Sequence, residues 1–413
     1  MATMSSNLRR RPSTSAGRPL TDNPNPNRNP NWRDWEGISQ SMAAQIAGHA
    51  LANDVADYLQ FRAACAPWRE HTEDPKKHSV LDQRFHPHRW ILLPEERSAV
   101  DGPRWRRMLN LSHGTKITLD LPHLLGGHAV AAGPGGSPGG ILVLMDEHSL
   151  VVRLLNPLTG QGIDLPSVAP VLSRRSEGRL GLAKAFSGLR NVTGAGFAGN
   201  STVVLHFGYD NKLVSTKLGD DHWEIVSNDS LMCSAFPFYG KVYVANGDGL
   251  MVVDAEAAPP KLELAAQWPP MEITLVHMAD SSGELMVLTN KACFKKGSDD
   301  YMVEFHIFRL DADAGTLVEV KDLGDRALFV GDYCGGLLVS AKEGIIPNSI
   351  YFQHDRLNKF YVRRVSDDQT RRLTEAHRGS FIDDLTSYVA WNGRNMTKSQ
   401  LLLADLGDNN KAC

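Results

Sequence analysis

Between residues 80 and 405 the chain is a succession of short β-prone runs separated by turn residues. Nothing else in the sequence restricts the possible folds as strongly. Segments such as "GGILVLMDEHSLVVRLLNP", "NSTVVLHFGYDNKLVSTKL", "GKVYVANGDGLMVVD", "GELMVLTN" and "MVEFHIFRLDADAGTLVEV" alternate apolar and polar residues, the period of a half-buried antiparallel strand. Asn-Gly, Asp-Gly and Asp-Ala-Gly sequences stand between them, where tight hairpins need residues that tolerate positive φ. No helical crossover alternates with the strands, which argues against a parallel α/β sheet. Many short strands over such a length fit a propeller or a pair of sandwiches. A weak internal rhyme of glycine, strand, turn, strand favours the propeller. It recurs in "GGILVLMDEHSLVVRLL", "GKVYVANGDGLMVVD" and "GGLLVSAKEGIIPNSIYF", without a strict WD or kelch signature.

Residues 32–72 have a different character. Ser39 or Ser41 offers a helix N-cap, and Met42, Ile46 and Ala50 follow at a spacing of four, predicting one helix face. Asn53 and Asp54 offer a second cap. Val55, Tyr58, Leu59, Arg62 and Cys65 continue at three- and four-residue steps until Pro67 stops the helix, and Trp68 is expected to fold back on the pair. A piece this small, without a metal or disulfide staple, cannot complete its own core. Its apolar groups must lean on the rest of the chain or on another protein.

This block resembles an F-box through Ile46, Asp54, Asp57, "FRAAC" and the closing Cys65-Ala66-Pro67-Trp68-Arg69. It departs from that pattern at Ile38-Ser39, where the family carries Leu-Pro, and at Met42 and Ala43, where it carries leucines. In the longer region, "RFHPHRWILLPEE", "LLNPLTGQGIDLP", "FPFYGKVYVANGDGLMVVD" and "ALFVGDYCGGLLVSAKEGIIPNSIYF" resemble, in that order, the segments of the plant KIB-type β-propeller. The resemblance implies a mainly β protein: a small N-terminal α-helical F-box followed by a C-terminal β-propeller. Its expected divisions are a disordered tail over 1–31, the F-box-like module over 32–72, a linker over 73–79, the propeller over 80–405 and a short tail over 406–413.

The function implied by the resemblance is substrate recognition in a Skp–cullin–F-box ubiquitin ligase. The expected partners are a Skp-type adaptor, through it a cullin, and a target protein held by the propeller. Ile38, Met42, Ile46, Leu51, Tyr58, Leu59 and Trp68 are the residues expected to dock the adaptor or to support the docking surface. The alternative is a non-ligase interaction protein whose degenerate F-box packs on its own propeller.

Signals of chemistry are weak, and the expectation is no catalytic residue, no metal and no cofactor. The glycine stretch "GGHAVAAGPGGSPGG" lacks the Gly-Lys-Ser/Thr ending of a phosphate loop and reads as a flexible surface loop. "LDADAG" lacks the later oxygen ligands of a calcium loop and reads as a hairpin turn. "NPLTG…LP" reads as a fold marker: Asn156-Pro157 turns the chain, Gly160 supplies a positive φ, and the strand ends before Pro166. His86, His88, His113, His123 and His128 form no tetrahedral set with cysteines.

With 44 Lys and Arg against 47 Asp and Glu, bulk charge gives no reason to expect nucleic acid, and the basic runs are interleaved with acids. No apolar run approaches the length expected of a spanning helix, and the N-terminal residues lack the apolar core expected of a secretory signal. Five scattered cysteines read as free thiols in a reducing compartment, the cytoplasm or nucleus. Arg9-Arg10-Arg11 reads as part of a solvated tail, with a transit peptide or nuclear signal as alternatives.

Overall fold

In the computed structural model the turn chemistry cuts the chain into hairpins. The described residues are 37–94, 105–125, 128–130, 138–172, 192–294, 301–373 and 380–393, less 147, 209, 230, 232, 234, 274, 332–334, 343, 355–358 and 368. The expected tails at 1–31 and 406–413, and two of the five cysteines, Cys334 and Cys413, lie outside them. At the turn into Gly249 the Asn246 Oδ1 accepts the N–H groups of Asp248 and Gly249 at 3.0 and 3.2 Å. At the turn after Asp311, the aspartate accepts the Ala314 N–H at 3.0 Å and Gly315 takes φ +63°, so "LDADAG" is a hairpin.

The hairpins build six sheets, the blades of a β-propeller. Blade one holds β1 (Trp90–Leu92), β2 (Trp105–Asn110) and β3 (Lys116–Asp120). Blade two holds β4 (His128–Val130), β5 (Leu142–Asp146), β6 (Val151–Leu155) and β7 (Gly162–Ser167). Blade three holds β8 (Val192–Ala198), β9 (Thr202–Phe207), β10 (Lys212–Lys217) and β11 (Glu224–Ser227). Blade four holds β12 (Phe236–Phe238), β13 (Lys241–Ala245), β14 (Gly249–Asp254) and β15 (Lys261–Gln267). Blade five holds β16 (Leu275–Asp280), β17 (Leu285–Phe294), β18 (Tyr301–Asp311) and β19 (Thr316–Glu319). Blade six holds β20 (Arg326–Val330), β21 (Leu337–Ser340), β22 (Ser349–His354), β23 (Lys359–Arg364) and β24 (Thr370–Arg372).

Each face of a blade must bury its apolar residues against the next blade, and the core is accordingly divided among the gaps between them. Trp90, Leu92 and Met108 of blade one meet Leu142, Leu144 and Leu155 of blade two. Val143 and Met145 meet Val203, Leu205 and Phe207 across the next gap. The ring closes where Ile91, Leu93 and Leu109 of blade one meet Phe329, Tyr351 and Val362 of blade six. Phe329 and Tyr351 stack there with centroids 4.3 Å apart. A terminal helix, Ser380–Gly393, fills the same gap with Ile382, Leu385, Tyr388 and Val389. The strand succession expected over this region ends before the helix, which corrects that expectation.

Three local expectations are also revised. β7 does not end before Pro166. Val151 pairs with Ser167 and Val152 with Leu165, so Pro166 is the extra residue of a bulge on an edge strand, where its missing N–H costs no ladder bond. Its carbonyl accepts the Trp223 indole N–H at 2.8 Å from blade three. The rhyme of glycine, strand, turn, strand holds for β5–β6 and β13–β14, but β21 and β22 flank β20 and do not pair with each other. Of the glycine stretch, 126, 127 and 131–137 lie outside the described residues, while Gly139 and Gly140 are packed. A Cβ on Gly140, at φ +77°, would stand 2.3 Å from the Pro87 carbonyl oxygen.

Candidate functional site

The N-terminal module is three helices, α1 (Gln40–Asn53), α2 (Val55–Ala64) and α3 (Ala66–Glu70), and the terminal helix Ser380–Gly393 is α4. Ser39 caps α1, its hydroxyl accepting the Met42 N–H at 3.3 Å. Asp54 adopts an extended backbone, ends α1, and caps α2 by accepting the Ala56 N–H at 2.8 Å. α2 ends at Ala64 because Cys65 is extended, and Pro67 lies in the first turn of α3 instead of stopping α2. The buried face of α1 is Ala43 and Ala47, small residues that allow close approach to α2, and not the row Met42, Ile46 and Ala50.

Arg62 ties the helices to the segment that follows. Its Nη1 donates to the carbonyls of Arg69, Thr72 and Glu73 and to the Thr72 hydroxyl, at 2.7 to 3.2 Å. The Tyr58 hydroxyl donates to the Glu73 carbonyl at 2.7 Å, and burial holds its pKa above the ordinary phenol value. Residues 73–79 thus follow a fixed path, with Pro75 buried.

The module is bolted to the propeller through one carboxylate. Asp54, buried beneath α2, accepts the Trp90 indole N–H at 2.9 and 3.0 Å and the Asn110 side-chain N–H at 2.7 Å. Around it Ala47, Val55 and Tyr58 pack with Phe85 and Leu158. The Asn156 side chain donates to the Phe85 carbonyl at 2.8 Å while its oxygen accepts the Leu158 and Thr159 N–H groups, so the "NPLTG" turn also holds the docking segment.

The seven residues expected at a docking surface fall into three groups. Leu51 and Leu59 are half-buried against the module–propeller cluster, and Tyr58 is fully inside it. Met42 is 51% exposed, and Ile38 and Ile46 are half-buried; none of the three belongs to that cluster. Trp68, half-buried, stacks on Phe61 with centroids 4.4 Å apart. The sequence marks Asp54 as a cap and carries no local signal for Asn110. Their bond to each other and to Trp90 joins positions 56 and 36 residues apart in the chain. No local pattern encodes it.

Beside the module, "RFHPH" passes under the glycine turn. His86 is buried, with Nε2 2.9 Å from the Val80 carbonyl, and desolvation pushes its pKa down to about 4. His206, between β8 and β10, shares a 2.8 Å hydrogen bond with Thr193 Oγ1, and burial pushes it down to about 4 as well. Both are neutral when folded and charge on unfolding at pH below about 6.5. The unfolded chain therefore binds more protons between pH 4 and 6.5, and stability should fall as pH drops through that window. The expected result is a lower urea midpoint at pH 5 than at pH 7, with much of the difference removed in a His86→Gln, His206→Gln variant. Equal pH dependence in variant and parent would contradict it.

Among the described residues no group of three or more His, Cys, Asp or Glu is placed to hold a metal ion. Among the same residues no helix is long and apolar enough to cross a membrane.

Fold and site together define a six-bladed β-propeller carrying a helical module fixed to blades one and two, with part of the helical surface open. The family model of the KIB1-4 β-propeller matches residues 89–378, and the chain belongs to that family. The helices that precede the matched region are consistent with an F-box. Similar proteins are F-box proteins of Arabidopsis thaliana. The F-box/kelch-repeat protein At1g64840 is 30% identical over 185 residues, 42% of this chain and 47% of that one. F-box protein KIB4 is 28% identical over 136 residues, 32% of this chain and 31% of that one. The matched stretches cover less than half the length of these relatives.

Proposed function

We propose that this protein is the substrate-recognition subunit of a Skp–cullin–F-box ubiquitin ligase. The observation that carries the reading is the division of the helical module. One side is spent on Phe85, Trp90 and Asn110, while Met42, at 51% exposure, and half-buried Ile38 and Ile46 lie outside the cluster that packs on the propeller. Amphipathic helices of this kind complete themselves in an apolar groove on a partner, here a Skp-type adaptor that links to a cullin. The propeller holds the target protein, and the complex raises the target's effective concentration near the ubiquitin donor. No nucleophile is required of this chain, and the reading carries with it a cytoplasmic or nuclear location.

The test is binding of the purified full chain to a Skp-type adaptor. Burying a carboxylate without a partner costs several kcal/mol, so Met42→Asp with Ile46→Asp should weaken the complex by about a hundredfold. The same variant should keep the parent's unfolding midpoint within a small margin. A folded parent that binds no adaptor, or a variant that binds as well as the parent, would overturn the proposal. One observation favours a second reading, the non-ligase interaction protein: the module is hydrogen-bonded to its own propeller. Absence of adaptor binding by the folded parent would support it.

A further inference from the structure

Blade five has a notch in its outer edge. β18 runs from Tyr301 to Asp311 and is covered along its inner edge by β17, from the Met286–Arg309 pair to the Phe294–Tyr301 pair. On the outer edge β19 pairs only with Phe308–Asp311. The Val320 N–H continues the ladder by one bond, to the Ile307 carbonyl at 2.8 Å, and there the chain leaves the sheet.

That last bond shows which backbone groups face outward. In an antiparallel sheet a residue's N–H and C=O point to the same neighbour, and alternate residues share a side. Ile307 points outward, so Phe305 and Val303 do too. Consistent with this, the Val303 carbonyl accepts the Arg363 Nη1 hydrogen from β23 at 2.7 Å. The Phe305 N–H and C=O lie between, on an edge that no strand among the described residues covers.

This edge lines a groove of roughly 590 Å³ between blades five and six. Val303, Phe305 and Ile307 contribute its floor at two-residue spacing, with Ile350 and Val365 opposite. Phe305 is held edge-on to Phe352 with centroids 4.9 Å apart. The charges around the rim, Glu304, Glu319, Lys321 and Arg363, are of both signs and do not select a ligand by net charge. Selection falls to the open ladder and the apolar floor.

We propose that the groove binds an extended segment of the target protein as an added strand against Val303–Ile307, with aliphatic side chains at every second position entering the floor. At about 3.3 Å per residue the open edge accommodates four or five residues. The Arg363 guanidinium holds the Val303 carbonyl when the groove is empty and yields it to an incoming N–H. The assignment to a ubiquitination target rests on the function proposed above; the strand-binding activity does not.

The experiment selects random dodecapeptides displayed on phage against the full chain. Synthetic copies of the winners are then titrated by fluorescence anisotropy against the parent and Ser366→Trp. Ser366 is exposed and lines the groove, so a bulky side chain there plugs it without entering a core. The expected winners carry aliphatic residues at alternate positions and weaken about tenfold or more on Ser366→Trp, each 1.4 kcal/mol being a factor of ten. N-methylation of one set of alternate amides should abolish binding and methylation of the intervening set should leave it. No enrichment on the parent, winners indifferent to Ser366→Trp, or equal loss from both methylation sets would overturn the proposal. Tighter peptide binding after removal of residues 1–36 or 394–413, or competition by a second copy of the chain, would replace the target with the protein itself as occupant. Adaptor binding measured on Ser366→Trp should match the parent, which separates failure of this inference from failure of the ligase reading.

Discussion

A chain cut before Ser380 is expected to lose its cooperative unfolding transition. α4 places Ile382, Leu385, Tyr388 and Val389 in the gap between blades six and one, with exposures of 0, 0, 4 and 0%. Removing apolar side chains of this size from a core forfeits roughly 1.5–3 kcal/mol each, about 6–12 kcal/mol together. That is comparable to the whole stability of an ordinary domain, about 5–15 kcal/mol. The ion pair of Lys116 with Asp384 at 2.6 Å and the Lys342 ammonium 4.7 Å from the Phe381 ring would go too. Near-ultraviolet circular dichroism and urea titration of the truncated chain should show no sharp transition. Leu385→Ala gives a graded version, with an expected loss of about 2–5 kcal/mol. A truncated chain that unfolds as cooperatively as the parent would show that the ring closes without the helix.

The second large effect is expected at Asp54. Asp54→Ala removes the α2 cap, worth about 1 kcal/mol, and leaves the Trp90 and Asn110 donors unpaired where water is excluded, at about 1–3 kcal/mol each. The total, roughly 3–7 kcal/mol, should fall on the joint between module and propeller and spare the blades beyond it. Hydrogen exchange should therefore quicken in α1, α2 and β1 and stay unchanged in β13 and β14. Asp57→Ala is the control. Asp57 is exposed and, among the described residues, accepts the Asn53 side-chain N–H alone, so its loss should cost about 0.5 kcal/mol or less. Equal effects of the two substitutions would mean that the carboxylate is not the fastening. With the ligase reading, Asp54→Ala should also leave adaptor affinity near the parent's value while loosening the geometry between adaptor and propeller.

Several features of the molecule were legible because their causes are local. The strand hairpins follow from alternation and from Asn, Asp and Gly at the turns, and both helix caps were readable at Ser39 and Asp54. The amphipathic repeat of "SFIDDLTSYVAWNG" was equally local: Phe381, Ile382, Leu385, Tyr388 and Val389 fall at helical spacing. It went unread because the surrounding strand pattern dominated. Pro166 was misplaced for a different reason. A proline ends a strand only if its N–H is needed by a neighbour, and whether β7 lies at an edge is a property of the sheet. The same holds for Tyr58, which shares its spacing with exposed positions of the module yet points into the propeller.

By itself the sequence determined the kinds of element, the turns between them, the helical module at the front and its need for something to lean on, because each depends on residues within a few positions of one another. Only the tertiary structure decided what it leans on. Phe85, Trp90 and Asn110 meet Asp54 and Tyr58 because the ring of blades brings distant segments together, and that meeting leaves Met42 exposed and Ile46 outside the shared cluster. Ring closure by α4 and the notch in β18 have the same origin: which edges are covered depends on how many strands each blade receives, and backbone spacing along the chain carries no record of it.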